Sequence, residues 1–530
     1  MRLPSTEVVQ TADHGAFRPS LPWLLGALLL AGVLAVPFVL VDVPPVLDYP
    51  NHLARYFVLS HPGDPVLSLM YAPHWRLLPN LGMDVLGAGL LKVTPVHVGG
   101  RLLLALSLFA PVIGVIVYHV VAFNRFSYWP LASGVVAYNG VFHLGFMNFL
   151  LSVGLAFAGA AAWIALRRRG GRSIAAVVAA VAAAVIFLCH IFGLLLFALL
   201  ICAEEAARLL NAKRSGDLGV AEVVRTGAML TFALSPAVIL YIASPLGGGA
   251  ASIGAWRGFQ KLWTVFTPFM TTSVNLTLIT GIAVFSVAVI CWRNAVFAPA
   301  TTPALVTLAL LFLIAPSTLK GGTFVDVRLA LMLGLFMFAG VQPRLTSAHA
   351  RMAGLIFVIL IAVRAGYISA TWIEHRQDLA DLRAAMAPVK PAARVLVARG
   401  HPGHITEAAL PERALPGIYR LDGHLAALLV VERRAFWPLM FADPTQQPLE
   451  VRAHYAGISQ PTAEPVEWSV LSQDHFSDDT LGNARYLTNW RANFDQVLLI
   501  DPSPPVSLPR GLKPAVTTPF AILYDIEPAS

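Results

Sequence analysis

The chain has 530 residues, 57% of them hydrophobic and 12% charged, with a mean hydropathy of +0.69. A soluble domain carries about 25% charge, so the composition excludes an ordinary soluble protein and points to a polytopic membrane protein. The net charge is +8, but its arginines fall in short clusters between apolar runs, the pattern that orients membrane helices, and nucleic acid is excluded as a partner.

The three cysteines, Cys189, Cys202 and Cys291, lie in or beside apolar runs without a CxxC spacing, which argues against a zinc knuckle or a redox pair. Residues 1–20 carry Arg2 and Arg18 and precede an apolar run, Leu21–Val41. That run is long for a signal peptide and long enough to span a bilayer, so an uncleaved first helix is expected.

About eleven spans are predicted, each of roughly twenty apolar residues. After Leu21–Val41 comes a polar outer loop, Asp42–Asn80, and then Leu81–Val93, which is short and amphipathic and suits the membrane interface. The next spans are Val96–Val121, Pro130–Phe146, Phe149–Leu166, Ile174–Cys189, Phe192–Leu210 and Val224–Ala243. A second polar loop, Ser244–Thr272, leads to Leu276–Trp292, Pro303–Leu319, Leu329–Val341 and Met352–Trp372. With the N-terminus in the cytoplasm, Arg125, the Arg167–Arg169 triplet, Lys213-Arg214, Arg293 and Arg344 all fall inside, as the positive-inside rule requires. The loops 42–80, 244–272 and 320–328 then lie outside, with everything after Trp372. Residues 373–530 are rich in charge, Pro and His and read as a small α/β domain. Arg394–Ala398, Ala426–Val431, Val497–Ile500 and Phe520–Tyr524 are its expected strands, and Leu481–Asn493 an expected helix.

The candidate chemistry starts at Asp48. With His52 at i+4 and Arg55 at i+7 it shares one helix face. A carboxylate just outside a membrane helix can act as a general base or hold a metal ion. It can equally be the N-cap of an interfacial helix with Pro50 in its first turn. His52 can orient that carboxylate, share a metal with it or touch substrate, and Arg55 can bind phosphate; both also suit a plain interfacial surface. The turn Lys320–Arg328, KGGTFVDVR, offers Lys320 and Arg328 as outer-surface cations with Asp326 between them. It reads either as a phosphate site or as a charged turn with an internal Asp–Arg pair. Arg257 and Lys261, flanked by Trp256 and Trp263, can join such a site. Arg101 and Arg364 lie within or near spans, where charges face a cavity or snorkel.

This order of elements resembles the GT-C superfamily of membrane glycosyltransferases, such as protein mannosyltransferases and bacterial lipid A aminoarabinose transferases. The resemblance rests on a first outer loop with an acidic juxtamembrane residue, an interfacial helix, and a span opening VHVGGRLLLALSLFAPVIGVIVYHV, with the Gly-x-Arg-Leu of Gly99–Leu102. It covers residues 21–170 in order and the topology to 372. It implies Asp48 as the catalytic acidic residue, Arg101 as the second-span arginine, and a polyprenyl-phosphate-linked sugar as donor. Many relatives carry two adjacent acidic residues in that loop, whereas Asp48 is followed by Tyr49-Pro50-Asn51-His52; a divalent metal ion therefore stays open as cofactor. The expected protein is a transferase of the bacterial inner membrane with its C-terminal domain in the periplasm. Membrane lipid is its surroundings, and a glycan, lipid or protein its acceptor. A transporter or flippase of a lipid-linked saccharide is the first alternative, disfavoured by the lack of internal repeats and broken midplane helices. A non-catalytic envelope assembly partner is the second.

Overall fold

A computed structural model describes residues 18–245, 254–256, 258–292, 294–319, 322–400, 413–417, 420–461, 463–473, 475–502 and 508–527. Among the described residues, seven helices are long and apolar enough to cross a membrane. They are Leu21–Leu40, Val96–Phe123, Met147–Arg168, Arg172–Cys189, Val220–Ala243, Val274–Trp292 and Ser347–Met386, and each coincides with a predicted span.

The other four predicted spans take different forms. Pro130–Phe146 is no single helix. A 3-10 stretch, Trp129–Val136, gives way to a short helix, Gly140–Leu144, which Asn139 starts by accepting from the Phe142 amide at 3.0 Å. Pro130 and the glycines at 134, 140 and 145 break the segment up. Phe192–Leu210 lies inside Ile191–Ser215, whose C-terminal half carries Glu204 and Glu205. Pro303–Leu319 shrinks to Thr301–Ile314, after which Thr318–Leu319 pairs with Gly322–Thr323. Leu329–Val341 becomes Val325–Ala339, 15 residues, about 22 Å of helix against a hydrocarbon core of about 30 Å.

Small residues set the tightest helix contact. A β carbon on Gly114 would lie 2.5 Å from the Gly154 carbonyl oxygen, so helices 96–123 and 147–168 cross with their backbones touching. On the predicted inner side, Glu205 is buried and accepts from Arg167 Nε and Nη2 at 2.8 and 2.7 Å and from Trp163 Nε1 at 3.0 Å. Arg364 is buried; it donates to the carbonyls of Phe269 and Tyr138 at 2.7 and 2.5 Å and staples three segments together.

The C-terminal region forms a five-stranded mixed sheet, in the order Leu512–Thr517, Ala521–Ile526, Gln496–Ile500, Val395–Arg399 and Val466–Glu467. The last three strands run parallel and the first three antiparallel. Three of the four predicted strands are there. The fourth, Ala426–Val431, is a 3-10 turn and helix over Leu425–Arg433, fully buried through Val430. A short unbroken apolar run suits either form. The predicted helix Leu481–Asn493 is three short pieces, Asp478–Asn483, Arg485–Leu487 and Trp490–Asn493, interrupted where Asn489 takes a positive φ of 51°. The expected boundary at 373 is not a break either. The helix Ser347–Met386 runs unbroken from the apolar stretch into the domain.

Residues 42–80 and this domain form one body. Tyr71–Pro73 pairs antiparallel with Leu449–Val451. Asn51, fully buried, donates to the Leu439 carbonyl at 3.0 Å and accepts from the Phe441 amide at 2.7 Å. Arg383 bridges Glu432 at 2.9 Å and Asp42 at 3.2 Å, and Arg434 holds Asp64 at 2.7 Å. Replacing Asn51 by Leu leaves a buried carbonyl and a buried amide without their partner. The expected outcome is a loss of about 2 kcal/mol and earlier proteolysis of the domain, read by thermal unfolding and limited digestion of the detergent-purified protein.

Candidate functional site

Asp48 stands at the head of the juxtamembrane helix Tyr49–Ser60, with Pro50 in its first turn. Its side chain makes no capping hydrogen bond, so its carboxylate is not spent on the helix end. The backbone beneath it is fixed instead. Leu47 and Asp48 amides donate to the carbonyls of His143 and Leu144 at 2.9 and 3.2 Å. Gly145 sits under Asp48 with φ +85°, and a β carbon there would come within 2.9 Å of the Asp48 β carbon and amide nitrogen. Glycine alone satisfies both the left-handed backbone and the close approach.

Asp48, His52 and Arg55 line one cavity of about 420 Å³, as their spacing predicts. The Arg55 guanidinium, 2% exposed, is taken up by Asp84 of the interfacial helix Gly82–Leu90, at 2.6 Å from Nε and 3.3 Å from Nη2. Burial works against the Arg55 charge, but the Asp84 carboxylate outweighs it and raises the Arg55 pKa. Asp84 thus matches the charge expected to bind phosphate, while Arg55 Nη1 is buried at the cavity without a partner. Its Nη2 also meets His52 Nδ1 at 3.0 Å. Burial pushes the His52 imidazole well below its ordinary range, Arg55 and His424 press the same way, and a hydrogen bond with the Gly145 backbone opposes them. His52 is therefore neutral at pH 7.

Arg328 enters the cavity from the first turn of Val325–Ala339. Its guanidinium lies over Phe146 at 4.5 Å, with Phe192 and Phe149 at 5.6 and 5.9 Å, and Nη1 donates to the Thr323 carbonyl. Its Nε is buried without a partner. A second, apolar groove of about 910 Å³ runs between helices 191–215, 301–314 and 325–339, lined by side chains such as Phe192, Leu195, Leu311 and Ile314. Cavity and groove share Asn80, His190, Thr323, Arg328 and Gln446, so they join at Arg328.

Lys261, Arg101 and Asp326 are not brought there. Lys320 and Arg257 lie outside the described residues. Lys261 is no phosphate ligand: its ammonium donates to the carbonyls of Phe312 at 2.7 Å, Leu313 at 3.1 Å and Ala315, around the end of helix 301–314. Arg101 donates to the carbonyls of Phe38 and Val41 at 3.0 and 3.3 Å, closing the end of the first helix. Asp326 is fully buried; one oxygen accepts from the Val327 amide at 3.1 Å and the other has no partner. The internal Asp326–Arg328 pair is not formed among the described contacts.

Sequence reasoning missed Asp84 and the far wall of the cavity, where the C-terminal domain contributes Arg399, Arg420, His424, Phe441 and Glu464. His424 Nδ1 lies 3.0 Å from Asp48 Oδ1, off the angle of a hydrogen bond. The Asp422-Gly423 dipeptide was the signal of a tight turn at that point. Asp48 and His424 give a divalent cation two donors, and among the described residues no group of three or more His, Cys, Asp or Glu is placed to hold one.

Replacing Asp84 by Asn leaves the Arg55 charge buried without its counter-ion. A loss of about 3–5 kcal/mol is expected, measured by thermal unfolding. His52 has a folded pKa below its unfolded value of about 6.5, so the stability it supports is present above that pH and falls away below it. His52→Gln should flatten the stability–pH curve below about pH 6.5 relative to wild type. No protein-family model matches the chain, and no curated protein matches it.

Proposed function

We propose that the protein is a membrane glycosyltransferase of GT-C-like architecture, moving a sugar from a polyprenyl-phosphate donor to an acceptor on the periplasmic face of the bacterial inner membrane. In this reading the short helices near 130–146, 301–314 and 325–339 and the helix 191–215 complete eleven passes, with the N-terminus in the cytoplasm.

The observation that carries the reading is the junction at Arg328. An apolar groove suits the donor's lipid tail. A cation at the groove's inner end suits its phosphate, and a carboxylate across the adjoining polar cavity suits the acceptor. The acceptor oxygen attacks the anomeric carbon as the bond from that carbon to the phosphate oxygen breaks. The electron pair leaves with the polyprenyl phosphate, whose growing charge Arg328 stabilises. The acceptor's proton goes to Asp48, and attack opposite the leaving group inverts the anomeric centre. Phe441 and the amides of Asn80, Gln446 and Gln447 line the cavity where the sugar would lie.

Transfer of labelled sugar from polyprenyl-phosphate donors in proteoliposomes tests this. Asp48→Asn is expected to lower the rate by at least about 100-fold with unchanged folding, and Arg328→Gln to lose both rate and donor affinity. Equal transfer by wild type and Asp48→Asn would remove Asp48 from the chemistry. Absence of transfer over a broad donor and acceptor panel would favour a flippase or an assembly partner.

A further inference from the structure

The C-terminal domain brings an imidazole to the candidate carboxylate. His424 is 9% exposed and its Nδ1 makes no hydrogen bond; Asp48 Oδ1 lies 3.0 Å from it, off the angle of one. The turn that carries it is braced from several sides. The Leu425 amide donates to the Asp422 carbonyl at 3.0 Å, and the Ala427 amide to the His424 carbonyl at 3.0 Å. Arg420 holds Asp422 at 2.9 Å through Nε and also reaches Asp501, just past the strand Gln496–Ile500. Gly423 lets the turn come close to the residue before Asp48: a β carbon there would lie 3.1 Å from the Leu47 side chain. Phe441 and Trp437 meet the His424 ring at centroid distances of 5.0 and 6.1 Å, both edge-on, and confine its orientation.

We infer that His424 is a positioning residue for Asp48: its Nδ1–H donates to Oδ1 and so turns Oδ2 toward the acceptor. The inference rests on the reading of Asp48 as the proton acceptor. An Nδ1–H aimed at one carboxylate oxygen suits this task, because it fixes the carboxylate and leaves the other oxygen open to take a proton. The off-angle contact closes into a hydrogen bond when acceptor fills the cavity, as such contacts commonly do between free and bound enzymes. The domain then supplies part of the reacting site rather than a cover over it.

The imidazole has two mimics. An Asn amide reaches the place of Nδ1, and a Gln amide that of Nε2. His424→Leu should therefore lower kcat about 10- to 150-fold, the range for losing a hydrogen bond to a charged group, with the donor KM little changed. His424→Asn should recover most of the rate, and His424→Gln should behave like the Leu variant. A folded Leu variant at the wild-type rate, or recovery by Gln in place of Asn, overturns the inference while leaving Asp48 as base. The pairing is also read without turnover, by nitrogen NMR of His424 in nanodiscs. The wild type should show a protonated Nδ1, and Asp48→Asn should move the Nδ1 resonance. If the wild type transfers no sugar but this shift is seen, the pair stands and the transferase reading falls. If Asp48→Asn leaves the imidazole resonances unmoved, the pair itself is overturned.

Discussion

A guanidinium and a carboxylate sealed together between two short helices set the geometry of the candidate site. Arg55 and Asp84 are almost without exposure, and each alone would be an uncompensated buried charge. The pair is tolerated only while helices 49–60 and 82–90 hold one register. That register is enforced by contact, since a β carbon on Gly87 would run into the Tyr56 ring. It is also enforced by Asn148, which accepts from the Met83 amide and donates to the Asn80 carbonyl, both at 2.7 Å. Fixing Arg55 fixes the rotation of its helix. His52 and Asp48 follow one and two turns back along the same face, so their directions are set by a bond that neither of them makes.

The polar cavity draws on three distant parts of the chain: the loop at Asp48, the helix start at Arg328 and the turn at His424. None of the three is complete alone. The loop and the domain are joined by backbone pairing at residues 71–73 and by the two Asn51 bonds. The membrane helices contribute the aromatic seat of Arg328. A cavity built this way forms only in the assembled molecule, which makes its side-chain geometry a property of tertiary packing rather than of any local motif.

What could be read from the sequence was what periodicity and length encode. The seven long apolar helices followed from length, and the common face of Asp48, His52 and Arg55 from the 3.6-residue repeat. What could not be read depended on partners far along the chain. Arg55 looked like a free cation because Asp84 lies outside its own helix. Lys261 looked like a phosphate ligand, but helix 301–314 leaves carbonyls open at its end and the ammonium is used there. Residues 130–146 had the apolar content of a span, yet their Pro and Gly spacing made two short turns. The apolar run at 426–431 had no period to distinguish strand from helix. His424 carried no local signal beyond its turn.

The helix Ser347–Met386 has 40 residues, a rod of about 60 Å. It leaves the apolar layer and enters the sheet domain without a hinge. Each residue in such a rod adds about 1.5 Å and about 100° of rotation. One inserted residue beyond Trp372 would swing the domain a quarter turn and more, carrying His424 and Phe441 away from Asp48. Seven residues would nearly restore the azimuth but lift the domain by about 10 Å. The number of residues between the apolar stretch and the domain is therefore itself a structural parameter, as binding on the cavity as any side chain that lines it.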